Sequence, residues 1–280
     1  MSTPETSPTL PGVNVCLLGP AGTGKTFSIG TLVDSGVETF YLNLEQGLET
    51  LLGYWTDRGK PIPANLRWHK LAQPTASWAE MIKNAELINT MSLDSLSKMS
   101  DPNKSKYNQF IGLLRALNDF PDDRTGKTFG PVNSWTSSRA LVIDGLTGLS
   151  AAAMSLVVGG KAVRSQSDWG IAQDQVEKIL RMLCDGCSCH LVVLCHVERE
   201  PDVVTGGTKL MPSTLGKALA PKISAMFSDV ILAARNGDKW LWDTANPMAD
   251  LKTRNLALAA NLPPDFAPII NKWKSRGGKI

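Results

Sequence analysis

Val13-Asn-Val-Cys-Leu-Leu18 runs directly into Gly19-Pro20-Ala21-Gly22-Thr23-Gly24-Lys25-Thr26, and these two stretches decide the fold. The first is a short apolar run closed by Gly-Pro, the mark of a buried strand. The second matches the phosphate-loop pattern G-x4-G-K-[ST]. Gly24 to about Val33 then reads as a helix. Glycines let successive backbone N–H groups converge on phosphate oxygens, and the helix N-terminus adds its partial positive charge. Lys25 is the residue to reach the β- and γ-phosphates of ATP, and Thr26 the one to ligate Mg²⁺. An ordinary glycine-rich turn is the alternative. The order of strand, loop and helix speaks against it.

Outward from this loop, apolar strands alternate with helices. Glu38–Leu42, Leu66–Leu71, Arg139–Ile143 and Cys189–Cys195 read as strands. Gly47–Trp55, Ser77–Met91, Tyr107–Asn118, Ser167–Leu183 and Ser213–Phe227 read as helices, the last broken at Pro221. Asp229–Ala234, Lys239–Trp242 and Asp250–Ala257 read as successive strands, the first two joined at Asn236-Gly237. The expected fold is therefore α/β, a mostly parallel twisted sheet flanked by helices, with antiparallel strands at the C-terminal edge. The Ser- and Asp-rich stretch 92–106 reads as a mobile connection. The expected organisation is a disordered arm over 1–11, an ATPase core over 12–260 with an insertion at about 120–138, and a basic tail over 261–280.

A metal-binding phosphate site needs a second carboxylate. Ala140-Leu-Val-Ile-Asp144 delivers one at the end of an apolar strand, where it holds Mg²⁺, usually through a water. A helix N-cap is its other reading. Glu45 follows the second strand, at the crevice end of an open α/β sheet, where a carboxylate can deprotonate the attacking water. It is otherwise a solvated turn residue. His196 ends Leu191-Val-Val-Leu-Cys-His and can contact the γ-phosphate and report its presence to the loop beyond. Its alternative is a satisfied strand-end histidine. On the expected strand over 250–257, Lys252 and Arg254 share a face. Two cations there are costly to bury unless they meet an anion. A neighbouring subunit's ATP is such an anion, and a solvated edge strand is the competing reading.

Taken in order, Gly19–Thr26, Leu42-Asn-Leu-Glu45, Leu141–Asp144, Leu194-Cys-His196 and Lys252-Thr-Arg254 resemble the RecA-superfamily core. Ser167-Asp-Trp-Gly170 and the Lys-Thr-Arg-Asn stretch are similar to the compact phage members of that superfamily, which include RecA-like single-strand annealing proteins. The resemblance implies Glu45, Lys25, His196, Lys252 and Arg254 as catalytic residues and ATP with Mg²⁺ as cofactors. It implies a ring or filament with ATP at subunit interfaces, single-stranded DNA as partner, and a single-strand-binding protein as a further one. The implied location is cytoplasmic, in the host cell if the chain is phage-encoded. The 120–138 insertion and the lack of a separate N-terminal oligomerisation domain depart from the family.

In such proteins two loops face DNA. Here they are 157–169, with Lys161, Arg164 and Trp169, and 198–211, with Arg199 and Lys209. The tail adds Lys272, Trp273, Lys274 and Arg276. The cations neutralise phosphates and an aromatic ring can stack on a base. Trp169 also fits a core position. A net charge of +3 means any polyanion must meet a local patch rather than a basic domain.

The competing functions are a ring-type helicase or packaging motor, an ATP-gated assembly factor without DNA, and a small-molecule P-loop kinase. No dense arginine lid supports the last. No apolar run approaches the ~18 residues of a membrane span, and residues 1–11 lack the apolar stretch of a secretory signal. Five cysteines, an odd number, suit reduced thiols. Cys184, Cys187, Cys189 and Cys195 raise zinc, but no second ligand pair follows Cys184-x2-Cys187.

Overall fold

Strand β1 (Asn14–Leu18) is buried at four of its five positions, and β5 (His190–Cys195) at all six. Strands covered on both faces cannot alternate polar and apolar residues, so they read as continuous apolar runs and pair in parallel. β1 lies parallel to β5 with Val15 opposite Val192. A computed structural model of the chain describes residues 10–71, 77–98, 107–161, 163–201 and 206–280.

Around this pair, β2 (Glu38–Asn43), β3 (Leu66–Lys70), β4 (Arg139–Asp144), β8 (Asp229–Asn236) and β9 (Lys239–Asp243) complete a seven-stranded sheet of order β3-β2-β4-β5-β1-β8-β9. Helices α1 (Lys25–Asp34), α2 (Leu48–Thr56) and α9 (Ala267–Ser275) cover one face, with Ile29, Trp55 and Ile270 in its core. Helices α5 (Gln109–Asn118), α6 (Leu146–Val158), α7 (Gln166–Gly186) and α8 (Gly216–Met226) cover the other, with Leu113, Leu149, Leu180 and Ile223. Six strands run parallel, so the C-terminal ends of β1, β2, β4 and β5 gather at one end of the sheet.

The expected antiparallel C-terminal edge is present as the β8–β9 pair, with β8 itself parallel to β1. Other expectations are corrected. Residues 250–257 form no strand. A single bridge ties Lys252 to Val230, and the rest is irregular, so the same-face argument for Lys252 and Arg254 lapses. The expected loop 198–211 is a hairpin of β6 (Val197–Pro201) and β7 (Thr208–Pro212). The tail is no free end: α9 buries Ile269, Ile270 and Trp273 against the core. Helix α3 (Trp78–Thr90) precedes stretch 92–106, which opens with helix α4 (Leu93–Lys98), the remainder of the stretch lying outside the described residues, as do residues 1–9 of the expected arm.

The 120–138 insertion packs as part of the core. Phe120, Phe129 and Trp135 surround Phe40 of β2 at ring-centroid distances of 5.2, 5.0 and 4.3 Å. The buried Asp122 carboxylate accepts from the Trp68 and Arg124 amides and the Thr125 hydroxyl, which closes its tight turn. The insertion thus covers apolar sheet surface rather than adding a separate lobe.

Candidate functional site

β1 ends at Leu18, and the loop that opens with Gly19 wraps the N-terminus of α1. Gly24 has φ +76° and lies against Trp240, whose ring atoms would come within 2.6 Å of a Cβ, so only glycine fits. Trp240 of β9 also donates its indole N–H to the Gly22 carbonyl at 3.1 Å and packs on Phe27 with ring centroids 4.9 Å apart. The far edge of the sheet therefore clasps the loop.

The Lys25 Nζ donates to the Gly19 and Pro20 carbonyls, each at 2.8 Å. Burial pushes its pKa down, while the negative charges of Asp144 and Glu45 oppose that shift. A largely buried ammonium held only by carbonyls is poised for an anion. The Thr26 hydroxyl donates to Asp144 Oδ2 at 3.1 Å. The Tyr41 hydroxyl donates to the same oxygen in a very short contact. Burial pushes the Asp144 carboxyl up, and these two donors restrain it. A hydroxyl and a carboxylate at the mouth of a phosphate loop are hard oxygen donors, the set Mg²⁺ takes. The residues present thus fit both ATP phosphates and Mg²⁺.

Gly47 begins α2 against this pair. A Cβ there would run into Asp144 Oδ2 and the Tyr41 hydroxyl. Glu45 reaches across the cleft: its Oε1 accepts from the Gly148 amide at 3.3 Å, and its Oε2 lies 3.3 Å from His196 Nε2. Gly145, at φ +114°, leaves room for Glu45. The cleft of about 260 Å³ is lined by Lys25, Thr26, Glu45, Asp144, His196 and Trp240, among others. The strand ends thus bring together the loop Gly19–Thr26 and the carboxylates and histidine expected from the sequence.

A family model described as an AAA domain (AAA_24) matches residues 12–258. The chain belongs to this AAA domain family. As such it is a P-loop ATPase. Among curated proteins, none matches the sequence. Two solved structures are similar over nearly the whole AAA domain. One is the flagellar accessory protein FlaH from Methanocaldococcus jannaschii, 10% identical, covering 93% of this chain and 82% of that one, at a TM-score of 0.34. The other is the RadB recombinase, 13% identical, covering 91% and 86%, at a TM-score of 0.37. Neither is similar enough to bring its function with it.

The remaining expected site residues of the AAA domain lie elsewhere. Lys252 and Arg254 sit at the end of the sheet opposite the phosphate loop, so neither reaches the chain's own cleft. Their loop is tied to buried Asp229 at the start of β8. That carboxylate accepts from the Ser228 and Thr253 hydroxyls, the Arg254 and Asn255 amides and the Asn255 side chain, at 2.7–3.0 Å. The Lys252 Nζ donates to the Ala225 carbonyl at 3.0 Å. Arg276 donates to the Arg254 carbonyl at 2.9 Å. The Lys-Thr-Arg-Asn stretch is thus a rigid loop that presents an exposed Arg254.

The expected DNA cations do not form one surface. Lys161 pairs with Asp168 at 2.9 Å and Lys209 with Asp250 at 2.7 Å. Arg164 lies over the Trp169 ring, 5.7 Å from its centroid, and Trp169 packs partly buried on the core. Arg199 is exposed on the hairpin, between Glu198 and Glu200. Lys272 and Lys274 are exposed on α9 at the opposite end of the sheet, and Trp273 is buried there, donating to the Pro11 carbonyl. Trp273 is therefore closed to base stacking. All five cysteines are buried free thiols, and burial pushes Cys184 up to about 12.

Sequence reasoning missed Tyr41, Gly47 and Trp240. Tyr41 sits in an apolar strand run, where its hydroxyl gives no pattern. Trp240 lies more than two hundred residues from the loop it holds, and only the sheet order joins them.

Proposed function

We propose that this AAA domain is an ATP-hydrolysing, single-stranded-DNA-binding protein of homologous recombination that anneals or pairs strands as an oligomer. One observation carries the reading: His196, hydrogen-bonded to Glu45 inside the cleft, is the residue immediately before the β6–β7 hairpin. A contact at the γ-phosphate position is thereby one residue from an exposed surface element bearing Arg199.

In this mechanism the loop amides and Lys25 hold the β- and γ-phosphates. Thr26 and Asp144 hold Mg²⁺, which neutralises phosphate charge when bound. Glu45 orients and deprotonates the attacking water. His196 exchanges its Glu45 partner for phosphate oxygen and shifts the hairpin with it. Arg254, presented at the opposite end of the sheet, completes a neighbour's site in a head-to-tail ring or filament. A single-strand-binding protein is the further partner we propose.

The test is ATP turnover and strand binding with and without short single-stranded DNA at low salt. We expect DNA to stimulate turnover and His196→Ala to uncouple DNA affinity from ATP. Absence of both stimulation and DNA binding would favour the ATP-gated assembly reading, which the pairing of Lys161 and Lys209 with carboxylates supports. Directional unwinding would favour the motor reading.

A further inference from the structure

Tyr41 is fully buried in β2, on the sheet face it shares with Ile29, Leu51 and Trp55. A phenylalanine would fill the same apolar space. The hydroxyl is what packing leaves unexplained, because a buried hydroxyl is costly unless it finds a partner. Its partner is Asp144 Oδ2, at the end of the neighbouring strand β4. The register sets Tyr41 opposite Val142 and Asn43 opposite Asp144. Tyr41 and Asp144 are therefore diagonal neighbours on one face, within reach of a long side chain.

The two oxygens of the Asp144 carboxylate are held differently. Oδ2 accepts from both the Tyr41 and the Thr26 hydroxyl. No described residue donates to Oδ1. A carboxylate oxygen has room for about two donors, so Oδ2 is filled and Oδ1 is left over. Thr26, as the donor, keeps its own oxygen lone pairs available. Among the described residues no group of three or more His, Cys, Asp or Glu side chains is placed to hold a metal ion. The cleft thus offers a cation one hydroxyl and one carboxylate, not a ready cage. Rotation of that carboxylate about its Cβ–Cγ bond decides which oxygen it presents, and two hydroxyls on Oδ2 fix the rotation. Asp144 and Thr26 line the cleft, whereas Tyr41 lies behind them in the sheet. Gly47 closes the remaining side, where a Cβ would overlap both Asp144 Oδ2 and the Tyr41 hydroxyl.

We propose that Tyr41 is a positioning residue for Mg²⁺: from inside the sheet, its hydroxyl fixes the Asp144 carboxylate so that Oδ1 is the oxygen presented to the ion. The inference rests on the assignment of Mg²⁺ to Thr26 and Asp144. Tyr41 itself touches neither nucleotide nor ion and acts through Asp144 alone.

The experiment titrates the full chain with a non-hydrolysable ATP analogue by calorimetry, once in EDTA and once across a series of Mg²⁺ concentrations. The variant is Tyr41→Phe, which keeps the ring and its volume and removes only the hydroxyl. Affinity in EDTA should stay within about twofold of wild type, while the Mg²⁺ concentration that gives half the metal-dependent gain should rise about tenfold, the scale of one hydrogen bond to a charged group. In turnover assays kcat at saturating Mg²⁺ should hold within about threefold, so that the loss falls on metal affinity. Placed in an Asp144→Ala background, Tyr41→Phe should add nothing, because the residue it acts through is gone. Thermal melts confirm that each variant is folded. An equal loss of affinity in EDTA and in Mg²⁺ marks a merely structural hydroxyl and overturns the inference. So does an unchanged or tighter Mg²⁺ dependence in Tyr41→Phe, or the same loss in the Asp144→Ala background. Wild-type binding that ignores Mg²⁺ altogether defeats both this inference and the Mg²⁺ assignment beneath it, whereas a metal-dependent wild type with an unaffected Tyr41→Phe defeats this inference alone.

Discussion

Lowering the pH from 7 to 5 should cost this fold about 2 kcal/mol through one residue, His190. Its ring is fully buried at the start of β5. Nδ1 accepts the Val13 amide at 3.0 Å, which requires the neutral ring, and the ring packs edge-on to Trp273 at 4.6 Å. Burial, aided by the nearby Lys274 charge, lowers its pKa from 6.5 to about 4. The unfolded chain takes up the proton near 6.5 and the folded chain only near 4, so stability is intact above pH 6.5 and lost as pH falls between the two. The full window of about 2.5 units corresponds to ~3 kcal/mol, of which ~2 is spent by pH 5. Typical domains hold only ~5–15 kcal/mol in total. Urea unfolding at both pH values, wild type against His190→Asn, isolates the contribution, because every other titrating group is common to both. Trp273 should become exposed first, since its ring contact and the Val13 hydrogen bond are lost together. Equal pH dependence in the two proteins would refute the reasoning.

Glu45→Gln should keep ATP binding yet lose most hydrolysis, about 10²-fold or more if a general base is removed; turnover and nucleotide affinity measured separately decide it. Gly47→Ala drives a methyl group into the buried Asp144–Tyr41 pair, so Mg²⁺-dependent ATP affinity should fall by at least about tenfold and stability by about 1–3 kcal/mol; magnesium titrations and thermal melts read this out. Arg254→Ala mixed with Lys25→Ala should regain part of the activity that each lacks alone, since a mixed interface pairs an intact cleft with an intact arginine; turnover across mixing ratios is the measure.

The phosphate loop and its strand and helix were legible because backbone chemistry demands glycine, lysine and threonine at fixed spacing. Asp144, Glu45 and His196 were legible for a related reason: each ends an apolar strand or follows it by one or two residues, and parallel strands deliver their ends to one crevice. What escaped the sequence depended on long-range pairing. Lys252 and Arg254 looked like strand residues because their alternation suits one, yet Asp229, more than twenty residues earlier, gathers the donors of that stretch and bends it into a loop. Trp273 looked available for stacking because basic residues surround it, but His190 and Pro11 hold it inside. The insertion at 120–138 reads as loop from its Pro, Gly and Asp content, while its three aromatics pack on Phe40.

The sheet order also dictates when the phosphate loop can be completed during synthesis. β1 is the first strand of the sheet to be made, but both strands that flank it, β5 and β8, are encoded some 175 and more than 200 residues later. Until Cys195 has left the ribosome, the apolar stretch Val15–Leu18 has no partner strand on either side. A strand edge left open in this way is prone to self-association until its partner strands are made. The phosphate loop is thus made long before the two strands that hold its own strand in the sheet.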